Sequence, residues 1–165
     1  LDQDRRRDPR NPRRLLPTNQ RLTTLAEAHR FLEWARENGA DLDGTDESVF
    51  FVQGVVESMS RDSDEEPALR AVKLLAYSVY LAEILAEACP GVTRVVKGEG
   101  MHLEDVYAVH ENGTVEFTLN WIHSCLDDPE GDNLVFKYAG ALRDFGAHDR
   151  SQALAEMLET LREEA

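Results

Sequence analysis

The chain has 165 residues, 42% of them hydrophobic and 30% charged, which is enough for one domain with a sizeable core. Its net charge of −14 opposes nonspecific attachment to nucleic acid or to an anionic membrane. Two cysteines, Cys89 and Cys125, are too few for a disulfide scaffold and point to a reducing cytoplasm, and no apolar run approaches the ~20 residues of a membrane span.

The charge is unevenly placed. Residues 1–14 hold six arginines (Arg5, Arg6, Arg7, Arg10, Arg13 and Arg14) against three aspartates, a net +3 that leaves −17 on the remainder. No apolar stretch follows these arginines, as a secretory signal would require. Residues 1–17 therefore read as a basic arm, disordered or docked on a partner, ahead of an acidic domain at 18–165.

The first helix is expected after Thr24, which with Glu27 forms a capping box that Leu22 can staple. Leu25, Ala28, Phe31, Leu32 and Ala35 recur at helical spacing, and Asn38-Gly39 is a C-cap signal. Next comes "DLDGT", Asp41 to Thr45. The spacing of Asp41 and Asp43 resembles the nucleophile motif of the haloacid-dehalogenase-type phosphatases, which implies a phosphorylated first aspartate, an acid–base second one and Mg²⁺. That chemistry needs a buried parallel strand leading into the motif. Here a helix and its cap precede it, so the stretch reads instead as a helix–loop–helix corner, with Thr45 or Asp46 capping the next helix.

Val49, Val52, Gln53, Val56 and Met59 predict a second helix. The acidic connector "RDSDEEP" places Asp64, Glu65 and Glu66 ahead of Pro67, at the positive end of a third helix over 68–88. That helix is apolar almost all round and belongs at the centre of the core. Pro90-Gly91 ends it. The period then changes to two. "VTRVVK" predicts a strand, and residues 105–122 a hairpin turning at Asn112-Gly113 as type I′. That turn would pair Ala108 with Phe117, and it puts Val106, Ala108, Val115, Phe117, Leu119 and Trp121 on one face. Two more helices are expected, at 133–144 with Gly146 as stop and from Ser151 onward. The fold class is α+β, a single domain with helices around a small antiparallel sheet.

Three sets of residues are candidates for function. If the hairpin continued as drawn, His102 would face His123, with Cys125 and Glu104 on the same side, a mixed ligand set suited to Zn²⁺. Cys125 and His123 also form a nucleophile–base pair in principle, with nothing to orient the imidazole. The third set is a pair of charged surfaces for a partner: the arm (Arg5, Arg6, Arg7, Arg13, Arg14) and the acidic segments (Asp64, Glu65, Glu66, Asp127, Asp128). Nucleic acid or anionic lipid would be reached only through the arm.

The Gly-Ala-x-Leu-Asp turn at 39–43, the Tyr-Leu-x-Glu stretch from Tyr80 to Glu83, and the Pro-Gly and strands that follow resemble an uncharacterised actinobacterial family of short acidic proteins over residues 37–123. The resemblance implies no activity or site residues, but it implies that the DLDGT stretch is a helix entry. The reading that follows is a non-enzymatic protein-interaction or regulatory domain, inhibitor- or immunity-like in one version. Metal or small-ligand binding at the hairpin end is the alternative, and a phosphatase comes last.

Overall fold

A computed structural model describes residues 25–62, 64–98 and 102–165. Among these residues the order is α1 (Leu25–Glu37), α2 (Ser48–Arg61), α3 (Pro67–Ala88), β1 (Val92–Val96), β2 (Val106–His110), β3 (Val115–Glu116), α4 (Thr118–Asp127), α5 (Leu134–Asp144) and α6 (His148–Glu164). The class is α+β, as the sequence leads one to expect. The arm, Leu22 and Thr24 lie outside the described residues.

Every residue of α3 from Leu74 to Ala82 is buried, so the helix runs through the core and not along its edge. Burial of one leucine-sized side chain contributes roughly 1.5–3 kcal/mol, so this helix is the main source of cohesion. α1 packs along α3, α2 packs on α4 and α5, and β1 and β2 of the sheet pack on α3. Helix ends follow the predicted signals at two glycines. Gly39 at φ 88° closes α1, with Ala40 N–H donating to Ala35 C=O at 2.9 Å. Gly146 at φ 91° closes α5, with Ala147 N–H on Leu142 C=O at 2.7 Å. Both are the six-to-one bond of a glycine-terminated helix. Asn133 caps α5, accepting from Phe136 N–H at 3.1 Å.

The hairpin differs from expectation. Among the described residues every φ above zero belongs to a glycine, so Asn112 has φ below zero and a type I′ turn is excluded. The loop has three residues, Glu111 to Gly113. Gly113 N–H donates to His110 C=O at 2.8 Å, and Gly113 takes φ 92°. The extra loop residue shifts the register by one: Ala108 faces Glu116, and Val109 faces Val115. A one-residue slip exchanges the two faces. Glu116 therefore joins Ala108 on the core side, while Phe117 meets Tyr107 on the other face, ring centroids 5.6 Å apart.

The second strand also stops early. Residues 118–127 form α4, and Thr118 Oγ1 donates to the Ser78 carbonyl at 2.8 Å, tying the start of α4 to the middle of α3. Leu119 and Trp121 are buried on this helix and not on a strand. The last helix begins at His148, three residues before the predicted cap. Ser151 lies inside it and donates to the Ala139 carbonyl at 2.6 Å, joining α6 to α5.

Candidate functional site

The DLDGT stretch is a corner between α1 and α2. Asp43 Oδ1 accepts from Thr45 N–H at 3.2 Å and from Thr45 Oγ1 at 2.6 Å, bonds that hold its carboxyl below the usual range. Gly44, at φ 81°, donates its N–H to Tyr80 Oη at 3.0 Å, and the Tyr80 and Ser48 hydroxyls are 2.6 Å apart. Arg36 Nε donates to the Leu42 carbonyl at 2.9 Å. Asp41 and Asp43 are exposed on this loop, and a helix leads into it, so the geometry of a phosphorylated strand-end aspartate is not formed. Neither Thr45 nor Asp46 caps α2. Glu47 occupies the N-cap without a side-chain bond, and Asp46 instead receives Arg150 at 2.8 Å on both carboxylate oxygens.

The metal set predicted on the hairpin is not brought together, because its second strand is α4. His102 is exposed in the loop before β2, its backbone N–H on Asp105 Oδ2 at 2.9 Å, and Glu104 is exposed beside it. His123 and Cys125, two apart on a helix, point about 200° away from one another. Cys125 is fully buried with Sγ 3.3 Å from Gln53 Oε1, and burial pushes its thiol up to about 11, which disfavours both thiolate ligation and nucleophilic attack. Among the described residues no three His, Cys, Asp or Glu side chains are grouped to hold a metal ion.

The acidic segments are brought partly together, around the C-terminal end of α2. Arg70 Nη1 donates to the Met59 carbonyl there at 3.0 Å. Asp127 and Arg70 both act electrostatically on His123, whose pKa burial lowers. Asp128 shares a polar cleft with Glu57, Arg61 and Glu130. Asp64 and Glu66 are exposed on the connector, but Glu65 turns inward: its side chain is 8% exposed, and its carboxylate lies 2.9 Å from Lys73 Nζ.

Lys73 leads to the feature that sequence reasoning missed. α1 and α2 splay over α3 and leave an apolar groove of about 390 Å³. Leu69, Lys73 and Tyr77 floor it at four-residue intervals along α3. One wall is Phe31, Trp34 and Ala35 of α1 with Asn38 just past its end, and the other is Phe51 and Val55 of α2. The Phe31 ring meets Trp34 and Tyr77 at 5.8 Å, the latter edge-to-face at 85°. Burial, then the charge of Glu65, pushes the Tyr77 hydroxyl up to about 12, so it stays protonated. Trp34 remains 58% exposed and Leu69 42%. The available signal was an aromatic residue beside, and not on, the core stripe of α1.

Comparison with protein-family models, curated proteins and solved structures gives no match to this chain.

Proposed function

We propose that the chain is a protein-interaction domain whose docking site is the groove between α1, α2 and α3. The observation that carries this reading is the exposure of Trp34 and Leu69 above a floor and wall of aromatic rings. Tryptophan and tyrosine in a pocket that can be fully desolvated are the usual anchors of binding energy. Floor residues at four-residue intervals between two helical walls suit the apolar face of an amphipathic helix from a partner. The partner's polar face would be basic. Lys73 is already neutralised by Glu65, and the connector at this end of α3 carries Asp62, Asp64 and Glu66 against Arg61, with Arg70 directed at the Met59 and Asp62 carbonyls. The chain as a whole is at −14. The two free, buried cysteines support a reducing compartment such as the cytoplasm.

A synthetic amphipathic helix of leucine and lysine serves as the test ligand, with a scrambled peptide of equal charge as control. Trp34 is exposed and Trp121 buried, so a blue shift of indole emission on binding reports the groove. Trp34→Leu should abolish the shift, and Leu69→Ala should weaken binding about tenfold, roughly 1.4 kcal/mol. Equal binding of the scrambled peptide, or a Leu69→Ala variant that binds as tightly as the parent, would remove the groove from the account.

A further inference from the structure

A second uncovered apolar surface lies on the other side of α2. α6 rests on α5 through Leu154 and Leu158, and its next row, Ala153, Met157 and Leu161, runs along a groove of about 550 Å³ that Phe50 of α2 completes. Met157 is 39% exposed and Leu161 51%. Towards the start of α6 the groove continues past Ala153 to Arg150, which the Asp46 carboxylate holds at 2.8 Å. From Arg150 to Leu161 is about 17 Å, or three helical turns.

The charge of this groove is one-sided. Its lining carries Glu47, the N-cap of α2, and Glu156 on α6, and Arg150 at the end is already committed to Asp46. Beyond it, the last turns of α6 add the exposed residues Glu159, Glu163 and Glu164 against Arg162. A second copy of the chain would bring the same carboxylates against these, and like charges facing across an apolar seam are unfavourable. A segment with lysine or arginine flanking its apolar face meets the opposite sign on both rims.

We infer that the groove between α2 and α6 is a second docking surface, for a basic amphipathic helix of a partner protein. It shares no lining residue with the groove at Trp34. Phe50 and Phe51, about 100° apart on α2, serve one groove each. A partner carrying two such segments would therefore clasp α2 from both sides, and linkage of the two events would raise its apparent affinity well above that of either segment.

Calorimetric titration with the leucine–lysine peptide tests this on the full chain, with Trp34 emission read in parallel. The expected stoichiometry is two peptides per chain, falling to one in Met157→Lys or in Leu161→Lys while the Trp34 emission shift persists. Both substituted side chains are exposed, so folding is preserved, and the thermal midpoint checks it. A single site in the parent chain that reports on Trp34, or two sites unchanged by both lysine variants, overturns the second surface and leaves the first. Loss of the Trp34 shift with a site still sensitive to Met157→Lys does the reverse. Two sites filled equally by the scrambled peptide reduce the effect to charge alone and overturn the inference.

Discussion

Glu116 shows how much one position can carry. The register of β3 turns it to the core side beside Asp144, and burial, then the hydrogen bond and charge of Asp144, push its carboxyl up to about 7. In the unfolded chain it titrates near 4.5. Between these values the folded state binds the extra proton, so its contribution to stability is complete below about 4.5 and is lost as pH rises through about 7. Glu116→Gln should therefore match the parent's thermal midpoint at pH 4 and exceed it by a few degrees at pH 8. Equal midpoints at both pH values would show that the proton is not held. Gln53 is a second such residue. Its amide accepts from Leu134 N–H at 2.8 Å and from Cys125 Sγ, and donates to Glu57 at 2.9 Å and to the Pro129 carbonyl at 3.0 Å. Gln53→Leu strands the buried Leu134 N–H, and the urea midpoint should fall by an amount equivalent to about 2 kcal/mol.

The helices were legible because their signals are local and redundant. Helical spacing, Pro67, Gly39 and Gly146 each mark an end or a face that the structure retains. Residues 115–121 were not, because Val115, Phe117, Leu119 and Trp121 alternate as a strand does, while Leu119, Ile122 and Cys125 also recur every three residues as a helix does. Tertiary contact decides between the two: Thr118 finds the Ser78 carbonyl, and the chain turns into α4. The Asn-Gly turn failed for a related reason, since Asn112 spends its side chain accepting from Thr114 N–H at 2.9 Å and keeps φ below zero. The zinc set depended on both choices and fell with them. α6 offers a prediction at this scale. Its N-terminal turn is held by Arg150, whose Nε and Nη2 reach Asp46 while Nη1 reaches the Ala88 carbonyl at 3.3 Å. Arg150→Met should raise amide exchange in α6 and α5 before the rest of the core. Uniform exchange across the chain would deny that latch.

For the molecule as a whole, the order of the predicted elements foretold an α+β domain and the hydropathy of the chain foretold no membrane-spanning helix, and the described residues contain none. Neither located the groove proposed as the binding face. Exposed acidic residues scatter around the surface, and a groove exists only once α1 and α2 have both settled on their neighbours. In the proposed docking, charge supplies encounter and orientation, while Trp34 and Leu69 supply the buried contact. Binding of a basic amphipathic segment should accordingly slow in association as salt rises, with a smaller change in dissociation, and stopped-flow Trp34 emission separates the two. A dissociation rate that carries most of the salt dependence would place the charges inside the contact and not around it.

The most direct measurement is a residue-resolved NMR titration of the isotope-labelled chain with the leucine–lysine peptide at low and high salt. The account predicts saturable shifts at the Trp34 indole, Phe31, Val55 and Leu69 that survive at high salt with reduced affinity. Shifts confined to the exposed carboxylate segments, and abolished by salt with the Trp34 indole unmoved, would contradict it.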